Sequence, residues 1–302
     1  MAVFPRYDAF WRGEPVPLDL LPELLAGNAH QSDRPAKPAN ILLRAEDATL
    51  IARVIAPGQW TSPAMNLDAM WKRARADLTV TTPQGGQDVF LWEHTVRVTR
   101  SAEYISRIPE VQALGPDEIS VVAAALYHEA GWIARLHSGE IERYEILLGP
   151  APESSYMEGA RMLERSLRDL IPSESLERSG AAIRALSDRH TKQIEAQIVA
   201  EADNLDEFGL MFLWPVIRRG ALEGKGVQAV LDTWRRRIEY QFWTARLKDS
   251  FRFEATRRVA AARLARLEAF MSDLLVQQAT EDLPLSIRPD CATQTEPTPG
   301  RM

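Results

Sequence analysis

Two imidazoles and two carboxylates stand out as side chains that could bind a metal ion together. His94 and His128, two of the five histidines in the chain, each lie in a segment rich in apolar residues. Glu129 directly follows His128, and Asp203 lies in a third apolar segment. A single histidine on an apolar helix face is more often a core residue than a ligand, but burying acids beside imidazoles is costly unless a cation compensates. The combination favours a site for a divalent ion such as Mn²⁺, Mg²⁺, Fe²⁺ or Zn²⁺.

The segments that would position these residues have the spacing of helices. Residues at intervals of three and four lie on one helix face, and this spacing is found in the series Leu91, His94, Val98, Ala102 and Ile105. A second apolar stripe leads to His128 and consists of Ile119, Val122, Ala123 and Leu126. We therefore predict one helix from about residue 88 that ends near Pro109, and another from Pro116-Asp117 that Gly131 interrupts.

The rest of the chain also has mostly helical patterns. Further helices are expected at about 62–77, 156–170, 173–189, 193–213, 227–247 and 250–277. Loops are expected at 79–87 and 137–155, and the second loop is long enough to form a lid or a ligand-facing segment. Strand signals are sparse, and residues 40–57 are compatible with either a helix or a strand. The predicted fold class is all-α.

Three motifs resemble the HD superfamily of metal-dependent phosphohydrolases, whose signature is H…HD…D. The segment His94-Thr-Val-Arg97-Val98 resembles the helix that carries the first histidine of the family. The segment Ala123-Ala-Ala-Leu-Tyr-His128-Glu129-Ala-Gly131 is similar to its A-x-L-x-H-D-x-G motif. His190, followed by Asp203 within 201–209, resembles the H…D-A-D-x-L-D-x-x-G segment of a bacterial subgroup. The resemblance extends over about residues 88 to 275.

The resemblance implies an HD-domain helical bundle with one divalent metal ion bound by His94, His128, Glu129 and Asp203. Mn, Mg, Fe, Co, Ni and Zn are not distinguished by these ligands. The implied activity is hydrolysis of a small phosphorylated compound, with nucleotides among the candidates, through a metal-activated water. This interpretation makes the protein an enzyme that acts on phosphate ester or anhydride bonds.

Three further residues are candidates for a catalytic role, each with a structural alternative. Arg97 could contact a phosphate or pair with a buried acid. His190 could orient substrate or act as an acid or base near neutral pH, or it could be an ordinary residue at a helix end. Asp206 shares a helix face with Asp203, so it could support the metal site or cap a neighbouring helix.

Two departures from the family pattern bear on activity. Glu129 replaces the signature aspartate, and its extra methylene moves the carboxylate by about 1.5 Å. Tyr156 and Glu158 stand where relatives often carry further histidines, which favours one metal ion over two. The alternative is therefore a catalytically degenerate HD domain that binds a ligand or partner. A metal-dependent oxygenase would need iron and more histidines than the segment offers.

The expected organisation has three parts. Residues 1–85 form an irregular, partly helical N-terminal extension that could cap the pocket, make a homodimer contact or fill out the core. Residues 86–278 form the HD-type domain. Residues 279–302 are rich in Pro, Thr and Gln and are expected to be disordered.

Charge and composition limit the partners. The formal net charge is −6, which argues against a nucleic-acid polymer but not against a small phosphorylated substrate. The single cysteine, Cys291, allows no disulfide within one chain. We see neither a secretory signal nor a membrane span, so the expected location is cytoplasmic and membrane binding is not expected.

Overall fold

The computed structural model describes residues 67–149 and 151–283. Helices dominate this part of the chain, so the all-α prediction is confirmed. No helix in it combines the length and apolarity needed to cross a bilayer. The predicted N-terminal extension, the start of the helix at residue 62 and most of the predicted tail lie outside the described residues.

The first half of the described chain contains the elements that carry both histidines. In chain order they are helix α1 (Leu67–Leu78), strands β1 (Val80–Thr81) and β2 (Gln87–Asp88), and helices α2 (Phe90–Ser106), α3 (Pro109–Gln112), α4 (Glu118–Tyr127) and α5 (Gly131–His137). The two strands pair antiparallel, with Val80 opposite Asp88. The segment predicted as a loop at 79–87 is therefore a short hairpin.

The second half contains the aspartates and the remaining helices. They are α6 (Glu153–Leu167), α7 (Ser173–Arg184), α8 (Ile194–Asp206), α9 (Leu213–Leu222), α10 (Val227–Glu239), α11 (Phe242–Asp249) and α12 (Glu254–Gln278). Single turns of 3₁₀ helix lie at Arg143–Glu145, Ala185–Ser187 and Gly209–Phe212.

Two predicted helices are interrupted in the structure. The helix predicted over 193–213 ends at Asp206, and Gly209 follows with a φ of 81°, a left-handed conformation that glycine adopts without steric cost. The helix predicted over 227–247 is broken at Gln241, which has a φ of 51°. The helical spacing of apolar residues continues across both breaks, because the helices on either side of each break also bury one face.

Helix α4 is the centre of the main core. Every residue from Ser120 to Tyr127 is buried, because α2, α6, α7 and α8 surround it. A helix that is apolar on all sides is stable only when neighbours cover its whole circumference. Its start is set by Asp117, whose carboxylate accepts a hydrogen bond from the backbone N–H of Ser120 at 3.0 Å.

A second apolar cluster lies toward the C-terminus and is linked to the first by helix α8. Ile198 and Ala202 of α8 belong to the main core, whereas Leu205 packs in the second cluster with Phe208 and Trp243. Asp203 lies on α8 between these two sets of contacts. The position of this carboxylate is therefore held by packing on both sides.

Asp88 ties the hairpin to a distant helix and to the loop after α5. Its carboxylate accepts two hydrogen bonds from Arg218, at 2.8 and 3.2 Å, and one from Arg143 at 3.2 Å. Although burial acts in the opposite direction, the hydrogen bonds from Arg218 hold the pKa of Asp88 below its usual value. Arg218 also donates to the carbonyl oxygens of Arg143 and Tyr144, so this network anchors the loop.

We expect Asp88→Asn to lower the free energy of unfolding at pH 7 by about 2 kcal/mol, because it removes hydrogen bonds between charged groups. The pKa is lower in the folded chain, so this contribution is complete above about pH 3.9 and is lost as the pH falls further. Urea unfolding at pH 7 and pH 3 measures the difference. Asp232→Asn, which breaks an exposed pair with Arg235, is the control and should cost less than about 1 kcal/mol. A pH-independent difference for Asp88→Asn would contradict this account.

Candidate metal centre

Three side chains from three helices bring their ligand atoms to one point. His94 lies on α2, His128 directly follows α4, and Asp203 lies on α8. The Nε2 atoms of the two histidines are 3.3 Å apart, and Asp203 Oδ1 lies 3.4 Å from His94 Nε2 and 3.7 Å from His128 Nε2. Both imidazoles are buried. Within the described chain, these three residues form a group whose ligand atoms lie close enough together to hold one metal ion.

The size of this triangle fits a metal ion. Two ligands that are each about 2.1 Å from a metal and subtend a tetrahedral angle lie about 3.4 Å apart. The observed separations of 3.3 to 3.7 Å agree with that spacing. Two imidazole nitrogens and one carboxylate oxygen are donors that suit several divalent ions, so the geometry does not select among them.

The second ring nitrogen of each histidine is held by an acceptor. His94 Nδ1 lies 2.9 Å from Asp206 Oδ2, and His128 Nδ1 lies 2.7 Å from the carbonyl oxygen of Ala125. When each Nδ1–H donates to its acceptor, each neutral ring presents a lone pair at Nε2. Two lone pairs and a carboxylate oxygen then face one another, an arrangement that a cation stabilises.

The electrostatics of the cluster favour positive charge. Although burial opposes protonation, the carboxylates of Asp203 and Asp206 raise the pKa of His94 to about 10. In the same way, hydrogen bonds from His128 and His94 hold the pKa of Asp203 well below its usual value against the effect of burial. The two carboxylates therefore favour a positive charge at this point, and a metal ion that binds there would replace the proton of His94, because only the neutral ring has a lone pair at Nε2.

Asp206 and Arg97 stabilise the orientation of His94 through its second ring nitrogen, Nδ1. Arg97 donates to both carboxylate oxygens of Asp206, at 2.7 and 3.0 Å, and Asp206 in turn accepts from His94. The described contacts thus match the alternatives in which Arg97 pairs with a buried acid and Asp206 supports the metal site. Neither contact requires a phosphate, and the predicted catalytic role of both residues stays a prediction.

We expect Asp206→Asn to weaken metal affinity by about 10- to 100-fold, because loss of a hydrogen-bond partner behind a ligating histidine has effects of that size. Isothermal titration with Mn²⁺ or Zn²⁺ measures the change. Asp188→Asn, in an exposed turn, is the matched control. An unchanged affinity in Asp206→Asn would show that Asp206 does not orient His94.

Glu129 lies beside the three converging residues but is not one of them. Its Oε2 atom is buried without a hydrogen-bond partner, as is the indole nitrogen of Trp132. Burial raises the pKa of Glu129, and the neighbouring His128 opposes that rise. The structure therefore brings together three of the four predicted ligands. A buried carboxylate oxygen that makes no close hydrogen bond is consistent with a nearby cation.

The cluster is open to solvent at Asp203, whose side chain is 34% exposed, whereas that of His128 is 1% exposed. Sequence reasoning did not single out Glu207, which forms an ion pair with Arg246 at 2.7 Å near this opening. Glu207 lies one helical turn after Asp203, and this spacing was the signal that could have identified it.

His190 is placed in an exposed turn between α7 and α8. Its backbone N–H donates to Asp188 Oδ1 at 2.8 Å. Among the described residues, no hydrogen bond or ion pair joins its imidazole to the metal cluster. The structure thus does not bring His190 into contact with the other predicted site residues, and its catalytic role stays a prediction.

Comparison with known proteins identifies the domain. Residues 91–207 match the family model of the HD domain. No curated protein matches the chain. Among solved structures, the predicted HD superfamily hydrolase from an uncultured Thermotogales bacterium has 16% sequence identity and a TM-score of 0.44, covering 70% of this chain and 92% of that one. YpgQ from Bacillus subtilis has 20% identity and a TM-score of 0.44, and the match covers 73% of this chain and 98% of YpgQ. The structure of YpgQ in complex with ADP has 19% identity and a TM-score of 0.42, and that match covers 72% of this chain and 94% of YpgQ.

The family match spans the helices that carry both histidines and Asp203. It also agrees with the order of the three sequence motifs and with the helical fold. The chain therefore contains an HD domain over residues 91–207.

Proposed function

We propose that this protein is a metal-dependent phosphohydrolase that acts on a small phosphorylated compound, with nucleotides as one candidate class. The observation that carries the proposal is the convergence of His94 Nε2, His128 Nε2 and Asp203 Oδ1 within 3.7 Å of one another. The Nδ1 atom of each histidine lies within hydrogen-bond distance of an acceptor, Asp206 for His94 and the Ala125 carbonyl for His128. These contacts orient both rings before any ligand binds.

These residues would hold one divalent ion. When bound, such an ion lowers the pKa of a coordinated water and polarises a phosphoryl oxygen. Asp206 keeps the Nδ1–H of His94 in place, and Arg97 neutralises Asp206 from the other side. The exposed side of Asp203 gives a substrate access to the cluster.

Glu129 is the departure from the family signature that bears most directly on activity. Its carboxylate is close enough for its pKa to respond to His128, Asp203 and His94. Aspartate at this position would retract the carboxylate by about 1.5 Å, and displacements of about 1 Å can change rates by about a hundredfold. We therefore expect wild type and Glu129→Asp to differ in turnover while both bind metal through the other three ligands.

The test combines metal analysis with assays on nucleotides and phosphomonoesters in the presence of Mn²⁺, Co²⁺ or Mg²⁺. We expect about one metal ion per chain and turnover that EDTA abolishes. Glu268→Asp makes the same change on the exposed surface of α12 and serves as the control for Glu129→Asp. If neither wild type nor Glu129→Asp hydrolyses any compound, the hydrolase proposal fails. If the purified protein contains no metal and added divalent ions do not change its melting temperature, a non-catalytic binding role would be favoured instead.

A further inference from the structure

A cleft of about 300 Å³ lies against the C-terminal helices, where the turn at Arg189 faces the junction of α10 and α11. Its lining includes Arg189, Tyr240, Phe242, Arg246, Asp249 and Ser250. Small-molecule sites begin at about this volume and usually combine aromatic walls with a few polar groups. None of these residues belongs to the set predicted from the sequence to bind metal or to act in catalysis.

One wall of the cleft is a turn that is held by hydrogen bonds. Asp188 accepts from the backbone N–H of His190 at 2.8 Å. Arg252 donates to the carbonyl oxygen of Arg189, which ties the turn to the segment before α12. The side chain of Arg189 itself makes no ion pair with any described residue and is exposed. A fixed turn that carries an unpaired guanidinium is suited to bind an anion.

The opposite wall is formed where α10 and α11 meet. Gln241 has a left-handed φ of 51° between these helices, and this break separates Tyr240 from Phe242. Tyr240 is 80% exposed, the highest value among the large apolar side chains of the described residues. Phe242 is held in place by Arg237, whose guanidinium carbon lies 4.3 Å from the ring centroid. The cleft thus offers one free and one fixed aromatic ring.

Arg246 connects the cleft to the metal cluster. It lines the cleft and donates to Asn204 Oδ1 at 2.5 Å and pairs with Glu207 Oε2 at 2.7 Å. Asn204 directly follows the ligand Asp203, and Glu207 lies one helical turn beyond it on the same face. Through Arg246, the cleft is therefore linked to the C-terminal end of α8, the helix that carries Asp203.

The charge of the cleft differs from that of the whole chain. Two arginines and one aspartate line it, although the chain as a whole carries a net charge of −6. Arg246 is already paired with Glu207, so Arg189 is the lining arginine that is available to an anion. One available guanidinium combined with exposed aromatic rings favours a ligand that is anionic and has a flat aromatic group.

We propose that this cleft binds the aromatic part of a phosphorylated substrate, such as the base of a nucleoside di- or triphosphate, with Tyr240 stacking on the ring and Arg189 contacting a phosphate other than the one at the metal cluster. The proposal rests on the proposed phosphohydrolase function for the identity of the substrate. It assigns specificity to the cleft and the chemistry to the metal cluster.

Binding is tested on the full chain in EDTA at low salt, where no hydrolysis occurs. Ligand-observed NMR titrations would compare adenosine 5′-monophosphate, ribose 5-phosphate and inorganic phosphate. We expect the aromatic compound to bind at least about fivefold more tightly than ribose 5-phosphate, because one stacked base contributes about that much or more. Tyr240→Ala should remove this preference, and Arg189→Ala should weaken binding of the aromatic phosphate by a similar factor.

The controls separate this proposal from the hydrolase proposal. Arg258→Ala changes an exposed arginine that does not line the cleft and should bind like the wild type. Equal binding of adenosine 5′-monophosphate and ribose 5-phosphate, absence of binding, or an unchanged preference in Tyr240→Ala would overturn the cleft assignment even if the metal-loaded protein hydrolyses phosphates. Conversely, the protein could prefer adenosine 5′-monophosphate over ribose 5-phosphate in a way that depends on Tyr240, and yet show no turnover. That result would support the assignment of the cleft and overturn only the hydrolase proposal.

Discussion

Asp203→Ala is expected to reduce metal affinity by more than about a hundredfold and to abolish metal-dependent turnover. Asp203 supplies the one carboxylate oxygen among the three converging ligand atoms. Loss of a residue that merely supports a ligand can cost about 10- to 100-fold in affinity, so loss of a ligand should cost more. The remaining imidazoles would also lose the negative charge that favours a cation between them. Metal content after dialysis and titration with Mn²⁺ or Zn²⁺ measure the effect.

Asp169→Ala is the matched control, because Asp169 is an exposed aspartate at the end of the segment after α6. It should retain the metal content and turnover of the wild type. Circular dichroism distinguishes loss of the site from loss of the fold, since Asp203 is half-buried and its removal leaves both apolar clusters intact. Stoichiometric metal in Asp203→Ala would contradict the assignment of the three ligands.

Gly131→Ala is expected to lower the free energy of unfolding by about 3 kcal/mol, at the upper end for overpacking. A Cβ atom at residue 131 would lie 2.1 Å from the carbonyl oxygen of Ser155 and 2.7 Å from its Cα. These are backbone atoms at the start of α6, so no side-chain rotation relieves the clash. Helices α5 and α6 would have to separate, and the turn that carries His128 and Glu129 would move with them. Urea unfolding measures the loss of stability.

Gly220→Ala provides the contrasting case. Gly220 is also helical, but a Cβ there would meet its nearest atom, the carbonyl oxygen of Lys225, at an ordinary 3.6 Å. Because alanine is the better helix former, this variant should gain about 0.5–1 kcal/mol. Similar stabilities for the two variants would show that close backbone approach is not the reason for glycine at residue 131.

The ligand residues were accessible from the sequence because each lies in a strongly apolar helical segment. His94 shares its helix face with residues that are all buried, and His128 ends a helix that is buried on every side. Local periodicity is sufficient to place such residues toward a core. The same reasoning failed at residues 193–213 and 227–247, where single backbone conformations at Gly209 and Gln241 end helices without interrupting the apolar pattern.

Other properties of the site depend on contacts between segments distant in sequence. Arg97 and Asp206 are separated by 109 residues, so spacing alone left open whether the arginine binds a phosphate or an acid. Likewise, the close approach of Gly131 to the backbone of Ser155 joins two segments whose contact no local pattern indicates.

The sequence by itself determined the fold class, the family resemblance and the identity of the residues that converge at the candidate metal centre, because helical periodicity and the order of three motifs are local properties of the chain. The tertiary structure decided which of the predicted ligands lie within metal-binding distance, that Asp206 contacts His94, and that Arg246 links the C-terminal cleft to the end of α8. These features depend on distances between helices, and such distances are set by packing across the core and not by the spacing of residues within any one helix.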